Sequence, residues 1–277
     1  MGTFDNLSRI DVSPAEFLAT AGRIFAVFGE ETQDSGNVSY GVEVGERRLF
    51  VKTAGDPSDG RWFLTHSQRV ALLRNAVELY RQYGQLPMAP LRAVIESPHG
   101  PVLVHDWAEG ELLRGGAAIR NDEHSAHRRF ADLPAERVVD ALDGLYALHA
   151  HLAAAGWVAV DFYDGCLIYD FAQHRLSVVD LDHYHRGPFV NEMGRMFGST
   201  RFMAPEEFER GATIDQRTTV FSLGRTAAIF LGDGSMERAA FRGSDGLYAV
   251  VRQACQKDPA DRYPTVSAFH QAWLEAR

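Results

Sequence analysis

Apolar and polar residues in the first part of the chain follow the pattern that is typical of β-strands. Short runs rich in β-branched and aromatic residues predict strands at 24–28 and 38–44, and a third at 49–53. A polar loop separates the first two strands and the turn GERR separates the second from the third, which predicts a small antiparallel sheet. Two more strands are predicted in the segments LRAVIES and PVLVHDW.

Helical periodicity interrupts this pattern at 65–83, where the apolar residues share one helix face: Val70, Leu73, Val77 and Tyr80. The segment 114–133 has the composition of a charged, solvated loop, and it includes His124 and His127. Pro134 then opens a second helix, whose apolar stripe runs from 138 to 152 and which Gly156 ends. Short strands follow in CLIYD and LSVVDLD, and from 204 onward the pattern is helical.

The order of these elements predicts an α+β protein. Five strands and one helix would form a β-rich N-lobe over residues 1–107, and mostly helices would form an α-rich C-lobe of the same domain over 108–277. The chain has 277 residues, of which 45% are hydrophobic, and this composition is sufficient for a substantial core.

Charge and cysteine content narrow the class of protein further. The net charge is −9 and no Lys/Arg run is present, so we expect no nucleic-acid partner and no anionic membrane surface. The two cysteines lie far apart in sequence, which favours a reducing compartment. No signal peptide and no apolar run of membrane-spanning length is visible, so we expect a cytoplasmic, soluble protein.

Several short motifs carry a family resemblance. The segment AVDFYDGCLIYD resembles the catalytic loop H-R-D-x-x-x-x-N of protein kinases, and VVDLD resembles the D-F-G motif that follows it. GSTRFMAPEE resembles the end of an activation segment with its A-P-E, and TTVFSLG and KDPADRYPT resemble two later motifs of the same family. Together these segments, from about residue 20 to 275, give the chain the order of a protein-kinase-like domain.

The resemblance implies a bilobal kinase-like fold that binds ATP and Mg²⁺ (or Mn²⁺) between its lobes and phosphorylates a hydroxyl. Lys52 would bind the phosphates as a catalytic residue, and Asp161 would be the catalytic base. Asp180, with Asp182, would hold the metal, and Cys166 stands where the family keeps a metal-binding Asn. Implied nucleotide-binding residues are Ser35, Gly36, Asn37 and Ser39 as the phosphate cover, Asp106 and Ala108 in the hinge, and Glu78 as the partner of Lys52.

Other positions are also assigned by the resemblance. His105 is at the gatekeeper position, and Glu206 would form a buried ion pair with Arg262. For the helix residue beside Lys52, Glu78 is the first choice and Asn75 aligns slightly better.

The sequence departs from the family pattern in several places. Ala159 and Val160 replace the His and Arg of H-R-D, Tyr163 replaces the catalytic-loop Lys, and the usual G-x-G-x-x-G is absent. A thiol at Cys166 is a poor ligand for the hard Mg²⁺ ion. Cys166 also lacks the His and Asn partners of a nucleophile, so a packed side chain is expected there.

Three functions remain open at this stage. The activation segment favours a serine/threonine protein kinase, whose acceptor is a protein. Asp182 and Tyr163 favour a small-molecule kinase of the aminoglycoside-phosphotransferase type. Cys166 and the missing glycines favour a nucleotide-binding pseudokinase that acts as an interaction module. The two histidines of the run HSAHRR suggest a metal, but a charged loop is the expected structure because no ligand pattern accompanies them.

Overall fold

The computed structural model of the protein describes residues 4, 6–30, 35–83, 87–114, 117–120 and 122–277. The chain divides into two compact units, an N-terminal unit of residues 1–108 and a C-terminal unit of residues 109–277. The N-terminal unit carries a five-stranded antiparallel sheet and the C-terminal unit is mainly helical. The predicted α+β fold class is therefore confirmed. A five-stranded antiparallel sheet followed by a mainly helical unit is the composition of a kinase-like fold. The assignment of the two units as lobes of one domain stays a prediction.

The N-terminal unit contains the five predicted strands in the sheet order β1-β2-β3-β5-β4. Its elements are α1 Pro14–Ala21, β1 Arg23–Phe28, β2 Val38–Val44, β3 Arg47–Thr53, α2 His66–Tyr83, β4 Leu91–Ser97 and β5 Gly100–Asp106. Helix α1 was not predicted. It begins with Pro14 after a capping box, in which Ser13 and Glu16 bond each other's backbone N–H groups, and it buries Leu18 completely.

The two faces of this sheet are covered differently. On one face Leu49, Val51 and Val104 pack against α1 and the segment before it, in a cluster that includes Ile10 and Leu18. The opposite face carries Phe50 and Lys52, because side chains two residues apart along a strand point to the same side. The side chains with the candidate chemistry are thus separated from the apolar cluster under α1.

Arg69 of α2 fixes the loop that follows β3. The side chain is fully buried, and its guanidinium donates to the carbonyls of Ala54 at 2.8 Å, Leu64 at 2.8 Å and Asp56 at 3.1 Å. A guanidinium has five N–H donors in a fixed fork, so one side chain can satisfy several carbonyls of a loop that lacks regular structure. The loop from 54 to 64 is therefore attached to α2 by a buried cation.

The C-terminal unit consists of helices and short strands. Its elements are β6 Glu111–Leu112, α3 Ala117–Arg120, α4 Ala126–Ala131, α5 Ala135–Ala154, β7 Trp157–Val158, β8 Leu167–Asp170, β9 Arg175–Val178, β10 His185–Arg186, β11 Phe189–Val190, β12 Thr213–Ile214, α6 Gln216–Phe230, α7 Asp245–Ala254 and α8 Val266–Ala276. Strands β6, β8 and β9 form one small sheet, and α5 packs against α6 and α8. Between α5 and α8, the Tyr146 ring meets Phe269 and Trp273 edge to face.

Two details of the sequence interpretation were wrong here. The segment 114–133 is not a continuous loop, because it contains α3 and α4, and Ser125 caps α4 by accepting the N–H of Arg128. Pro134 is the residue before the first turn of α5 rather than the first helical residue. Within the described residues, no helix combines the length and the apolar composition that crossing a bilayer requires.

The predicted ion pair between Glu206 and Arg262 is confirmed. The guanidinium donates to both carboxylate oxygens of Glu206, at 2.6 and 2.9 Å, and both side chains are buried. Thr218 of α6 donates its hydroxyl to the same carboxylate at 2.8 Å. The remaining guanidinium N–H groups bond the carbonyls of Arg217, Gln256 and Lys257. Every side of this charge pair is thus occupied by protein.

We expect Arg262→Ala to lower the free energy of unfolding by about 3–5 kcal/mol, because the Glu206 carboxylate would keep its charge in a buried position without its partner. Arg128→Ala is the matched control, since Arg128 pairs with Asp132 on the surface, where an ion pair contributes less than about 1 kcal/mol. Denaturant unfolding measures both values. Equal destabilisation by the two substitutions would contradict a special role for the buried pair.

His149 of α5 gives the C-terminal unit a predictable sensitivity to acid. Burial lowers its pKa from 6.5 to about 4, and both ring nitrogens are engaged, Nδ1 with the Leu145 carbonyl and Nε2 with the Tyr184 hydroxyl. The unfolded chain takes up a proton near pH 6.5 that the folded state resists until about pH 4. Stability that is present above pH 6.5 is therefore lost as the pH falls toward 4.

We expect His149→Gln to flatten this loss of stability between pH 6.5 and 4, although it also lowers stability at neutral pH by disturbing the packing. His151→Gln, an exposed position of the same helix, should retain the pH slope of the wild type. His105, whose pKa burial also lowers to about 4, contributes in the same direction, whereas Glu207, whose pKa burial raises to about 8, contributes in the opposite direction. Urea unfolding at a series of pH values tests this, and identical slopes in wild type and His149→Gln would contradict it.

Candidate functional site

Lys52 lies in β3 of the N-terminal unit and is only 6% exposed. Ser39 of β2 stands directly opposite it, and Phe28 of β1 stands opposite Ser39. Directly opposite residues of antiparallel strands share one face, so the amine, the hydroxyl and the ring lie on the same side of the sheet. The sheet thus brings a buried cation next to a hydroxyl that can donate to an anion.

The predicted phosphate cover lies before and at the start of β2. Asn37 and Ser39 are buried, and within the part of the chain that the structure describes the Asn37 Oδ1 and the Ser39 hydroxyl have no hydrogen-bond partner. A buried polar atom without a partner costs free energy unless a ligand or water satisfies it. This observation fits a polar ligand on the face that carries Lys52. Ser35 accepts the N–H of Asn37 at 3.3 Å, which stabilises the turn between them.

Gly36 has a structural reason for being glycine. Its φ is +83°, and a Cβ there would lie 2.5 Å from the indole ring of Trp62. Trp62 is held by a hydrogen bond from its Nε1 to Asp59 at 3.0 Å and by the guanidinium of Arg61 over its ring. The close approach that Gly36 permits in this structure is therefore to Trp62. A phosphate contact by its backbone N–H stays a prediction.

Four aromatic rings form an aromatic cluster next to Lys52, and we define it by these members: Phe25, Phe28, Phe50 and Trp107. Trp107 packs against Phe25 with ring centroids 4.9 Å apart, and it lies 6.4 Å from the centroids of both Phe28 and Phe50. All four side chains are half-buried. The sequence analysis did not predict this cluster, because its members come from three separate segments of the chain.

The predicted hinge residues follow the end of β5. The Asp106 N–H donates to the Pro90 carbonyl at 3.0 Å and the Trp107 N–H to the Arg48 carbonyl at 3.1 Å. The Asp106 carboxylate is bonded by Arg92. These bonds fix the backbone at Asp106 and Trp107, and the proposed contacts of Asp106 and Ala108 with adenine stay predictions. His105 is buried, its Nδ1 lies 3.2 Å from the Ala89 carbonyl, and burial lowers its pKa to about 4.

The helix residues proposed beside Lys52 lie on α2. Glu78 is exposed and lies near Arg74 and Val94, whereas Asn75 is half-buried. A glutamate that pairs with a buried lysine is normally buried with it, because an ion pair gains most where water is excluded. The exposure of Glu78 therefore gives the assignment no support, and the choice between Glu78 and Asn75 stays a prediction.

Asp161 and Asp180 lie in the C-terminal unit and share an unusual backbone conformation. Their φ angles are +59° and +61°, and only four non-glycine residues in the described part of the chain have a positive φ: Asp161, His174, Asp180 and Met236. Such a conformation costs free energy for a residue with a Cβ, although aspartate tolerates it better than most residues. Two aspartates chosen from sequence motifs alone therefore stand at two of these four positions.

Cys166 lies between these two aspartates. Its thiol is 1% exposed and donates to the Asp161 carbonyl at 3.4 Å, and the Val179 N–H, next to Asp180, donates to the Cys166 carbonyl at 2.9 Å. Burial raises the pKa of the thiol well above its usual value, and the negative charges of Asp180 and Asp161 raise it further. Cys166 is thus a neutral donor to the backbone, and a protonated thiol is not a ligand for a hard cation.

Tyr163 packs beside the same group of residues. Burial raises the pKa of its hydroxyl, and Cys166, Asp161 and Asp180 add to this effect. The ring covers Gly165, where any side chain would collide with it. The position that the family fills with a lysine therefore holds a neutral ring. Tyr163 supplies no positive charge to the loop from 161 to 166.

The Asp161 carboxylate faces two later segments of the same unit. His183 Nε2 lies 3.9 Å from its Oδ2, and a Cβ on Gly198 would lie 3.6 Å from its Oδ1. Thr219 of α6 accepts the N–H of Ala159 at 3.0 Å, which ties the residue two positions before Asp161 to a long helix. The carboxylate is therefore held between the segment after Asp182 and the segment that contains Gly198.

Asp164, three positions after Asp161, is buried and has two neighbouring side chains, Arg201 and His127. Arg201 Nη1 lies 3.0 Å from Asp164 Oδ2, and His127 Nδ1 lies 3.3 Å from the same oxygen. His127 was expected in a solvated loop, and that expectation was wrong, because its ring is buried against Phe230 and near the Leu113 carbonyl. Its sequence neighbourhood is charged, but tertiary contacts bury it. His124 is exposed as expected.

The two aspartates predicted to hold the metal differ in their exposure. Asp180 is exposed and Asp182 is buried. Across the described ranges, no group of three or more His, Cys, Asp or Glu side chains is arranged to hold an ion. Mg²⁺ commonly uses one or two carboxylates together with substrate phosphates. The assignment of Asp180 and Asp182 as the residues that hold the ion stays a prediction.

Comparison with known proteins supports the same class. No protein-family model matches the chain. Over 255 aligned residues it is 25% identical to the serine/threonine-protein kinase PknB of Mycolicibacterium smegmatis, and the match covers 81% of this chain. The chain spans 37% of the length of that relative. The similarity, which is weak, supports a protein-kinase-like chain and agrees with the α+β fold.

Proposed function

We propose that the protein is an ATP-dependent phosphotransferase that acts on a hydroxyl group, most like a serine/threonine protein kinase. One observation carries the proposal: Asp161 and Asp180 flank Cys166, and both have a positive φ. Strained residues persist where the surrounding structure and the function require them, and they concentrate at active sites. The similarity to PknB, a kinase by name, points to the same chemistry.

Each residue has a role that its position can support. Asp161, facing the segment of Gly198, accepts or orients the proton of the acceptor hydroxyl. Asp180 holds the divalent ion, with Asp182 or water as a helper, and Lys52 binds the phosphates of ATP. The nucleotide supplies the phosphoryl group, and Mg²⁺ or Mn²⁺ neutralises the charge that develops on it. Because Tyr163 is neutral, positive charge must come from Lys52 and the ion.

The segment before α6 supports a protein as the acceptor. Residues 198–206 are continuous with the A-P-E motif, and Gly198 lies beside the Asp161 carboxylate, which supports a protein acceptor that docks on this segment. A small-molecule acceptor remains the alternative, because Asp182 and Tyr163 resemble small-molecule kinases. Radiolabelled ATP distinguishes the two, since label appears on protein in the first case and on a metabolite in the second.

We expect Asp161→Asn to lower the turnover number for ATP by about 10²–10⁴-fold, the usual contribution of a general base. The affinity for ATP and the melting temperature should stay close to those of the wild type, because an amide has nearly the same size as the carboxylate. Asp245→Asn is the matched control, since that carboxylate is exposed and remote in sequence from Asp161 and Asp180. Wild-type turnover by Asp161→Asn would remove the basis of the proposal.

A second function is favoured by a specific observation, the aromatic cluster. Its four rings occupy the face that carries Lys52, where they offer stacking surface to a base but also take up space. Together with the neutral Tyr163 and Cys166, this arrangement favours a nucleotide-binding interaction module that transfers no phosphoryl group.

Nucleotide titration separates the two functions. We expect Mg²⁺–ATP to bind the wild type, and Lys52→Met to weaken binding about tenfold or more, because a phosphate contact with a buried cation is lost. Stacking of the base should also change the fluorescence of Trp107, and Trp107→Phe identifies that signal among the four tryptophans. Equal affinity in wild type and Lys52→Met would contradict the phosphate role. ATP binding without any turnover would select the interaction module.

A further inference from the structure

The segment that carries Gly198 is held in place by charged and polar groups of the chain itself. We propose that Arg201 is a positioning residue, whose ion pair with buried Asp164 holds the segment 195–203 against the loop of Asp161. In consequence, the segment needs no phosphate to become ordered. This inference rests on the proposed function for its catalytic consequence, although the clamp itself can be tested without any turnover.

The first step of the argument is the depth of Asp164. The residue is 2% exposed, so its carboxylate requires partners, and Arg201 Nη1 provides one at 3.0 Å. His127 Nδ1 lies 3.3 Å from this carboxylate and 3.1 Å from the Leu113 carbonyl. Both neighbours of Nδ1 are acceptors, so this nitrogen carries the proton and donates to them. The carboxylate thus joins Arg201 to two other parts of the C-terminal unit.

The second step links Asp164 to the catalytic loop. Asp164 begins a short 3₁₀ turn that ends at Cys166, and the Cys166 thiol donates to the Asp161 carbonyl at 3.4 Å. Only two residues of the loop separate Asp161 from Asp164, and both ends of this stretch are bonded. A displacement of the Asp164 carboxylate therefore also displaces the backbone of Asp161. Arg201 acts on the carboxylate of Asp161 through Asp164 and does not contact the reacting atoms.

The third step is the anchoring of the segment itself. The Arg201 carbonyl accepts from Arg225 Nε at 2.9 Å, and Arg225 also donates to the Gly234 carbonyl at 3.0 Å. At the other end, the Met196 N–H donates to the Glu207 carbonyl at 2.8 Å. The segment is therefore held by the side chain of Arg201 and by backbone hydrogen bonds at both of its ends.

The last step concerns phosphate. A phosphorylated segment is usually ordered by an arginine that pairs with the phosphate. The residue before Asp161 is Val160, which offers no cation, and the Arg201–Asp164 pair already supplies an ionic link between the two parts of the chain. Ser199 and Thr200 are the hydroxyl-bearing residues of 195–203. We therefore expect these hydroxyls to be dispensable for the order of the segment.

Hydrogen exchange read by mass spectrometry tests the clamp on the full chain. Wild type is treated with phosphatase, and its intact mass confirms that no phosphate remains. We expect the amides of 195–203 to keep the protection of the untreated protein, and Arg201→Gln to exchange about tenfold faster or more in 195–203 and 161–166. Arg238→Gln, at an exposed ion pair with Asp245, is the control and should leave both peptides unchanged.

Two further variants keep the test decisive if Arg201→Gln unfolds. Arg201→Lys retains a cation and should restore part of the protection. The exchanged pair Arg201→Asp with Asp164→Arg should protect these peptides better than either single substitution, because the ionic link is rebuilt with reversed charges. Protection that depends on phosphate, or exchange in Arg201→Gln and Arg201→Lys that matches Arg238→Gln, would overturn the proposal.

The catalytic consequence is measured separately. In Arg201→Gln we expect the turnover number to fall about tenfold or more while the dissociation constant of ATP stays within about twofold, because the acceptor side is disturbed and Lys52 is not. Ser199→Ala with Thr200→Ala should keep the wild-type protection of 195–203, because the order of the segment does not depend on phosphate at these hydroxyls. If the wild type shows no measurable turnover but Arg201→Gln still loses protection, the proposed function is contradicted and the clamp is supported. Normal protection and normal turnover in Arg201→Gln would contradict the clamp alone.

Discussion

The C-terminal unit is organised around one buried charge pair, Glu206 with Arg262. Glu206 follows the segment that faces Asp161, Thr218 bonds it from α6, and Arg262 comes from the stretch before α8. These parts of the chain have to meet at one point, because a lone charge left in the interior costs several kcal/mol. The pair thus requires these three parts of the chain to keep one arrangement. The position of the segment before Glu206 is a consequence of this arrangement.

Hydrophobic periodicity was sufficient to predict the long helices and strands from the sequence, and it was insufficient to predict the short helices. The five strands, α2 and α5 each carry an apolar stripe of several residues, and such a stripe is visible without tertiary information. Helix α1 has eight residues and α4 has six, which is too short for a clear period. Their caps, at Ser13 and Ser125, were the available local signals.

The residues of the candidate site also divide into those that the sequence predicts and those that only the tertiary structure brings together. Lys52, Asp161 and Asp180 could be chosen from motif order, because each stands next to a predicted strand or turn. The Arg201–Asp164 pair could not, since 37 residues separate its members and both types are usually exposed. The aromatic cluster was missed for the same physical reason, because register across β1, β2 and β3 brings its rings together. Contacts that only tertiary structure creates leave no local pattern.

The contact of Trp62 with Gly36 makes this tryptophan a reporter of conformational change just before β2. Trp62 belongs to the loop that Arg69 attaches to α2, and its indole lies against the backbone at Gly36. Indole emission responds to changes in its immediate surroundings. The protein thereby carries an optical probe, without any added label, at the edge of the face that holds Lys52.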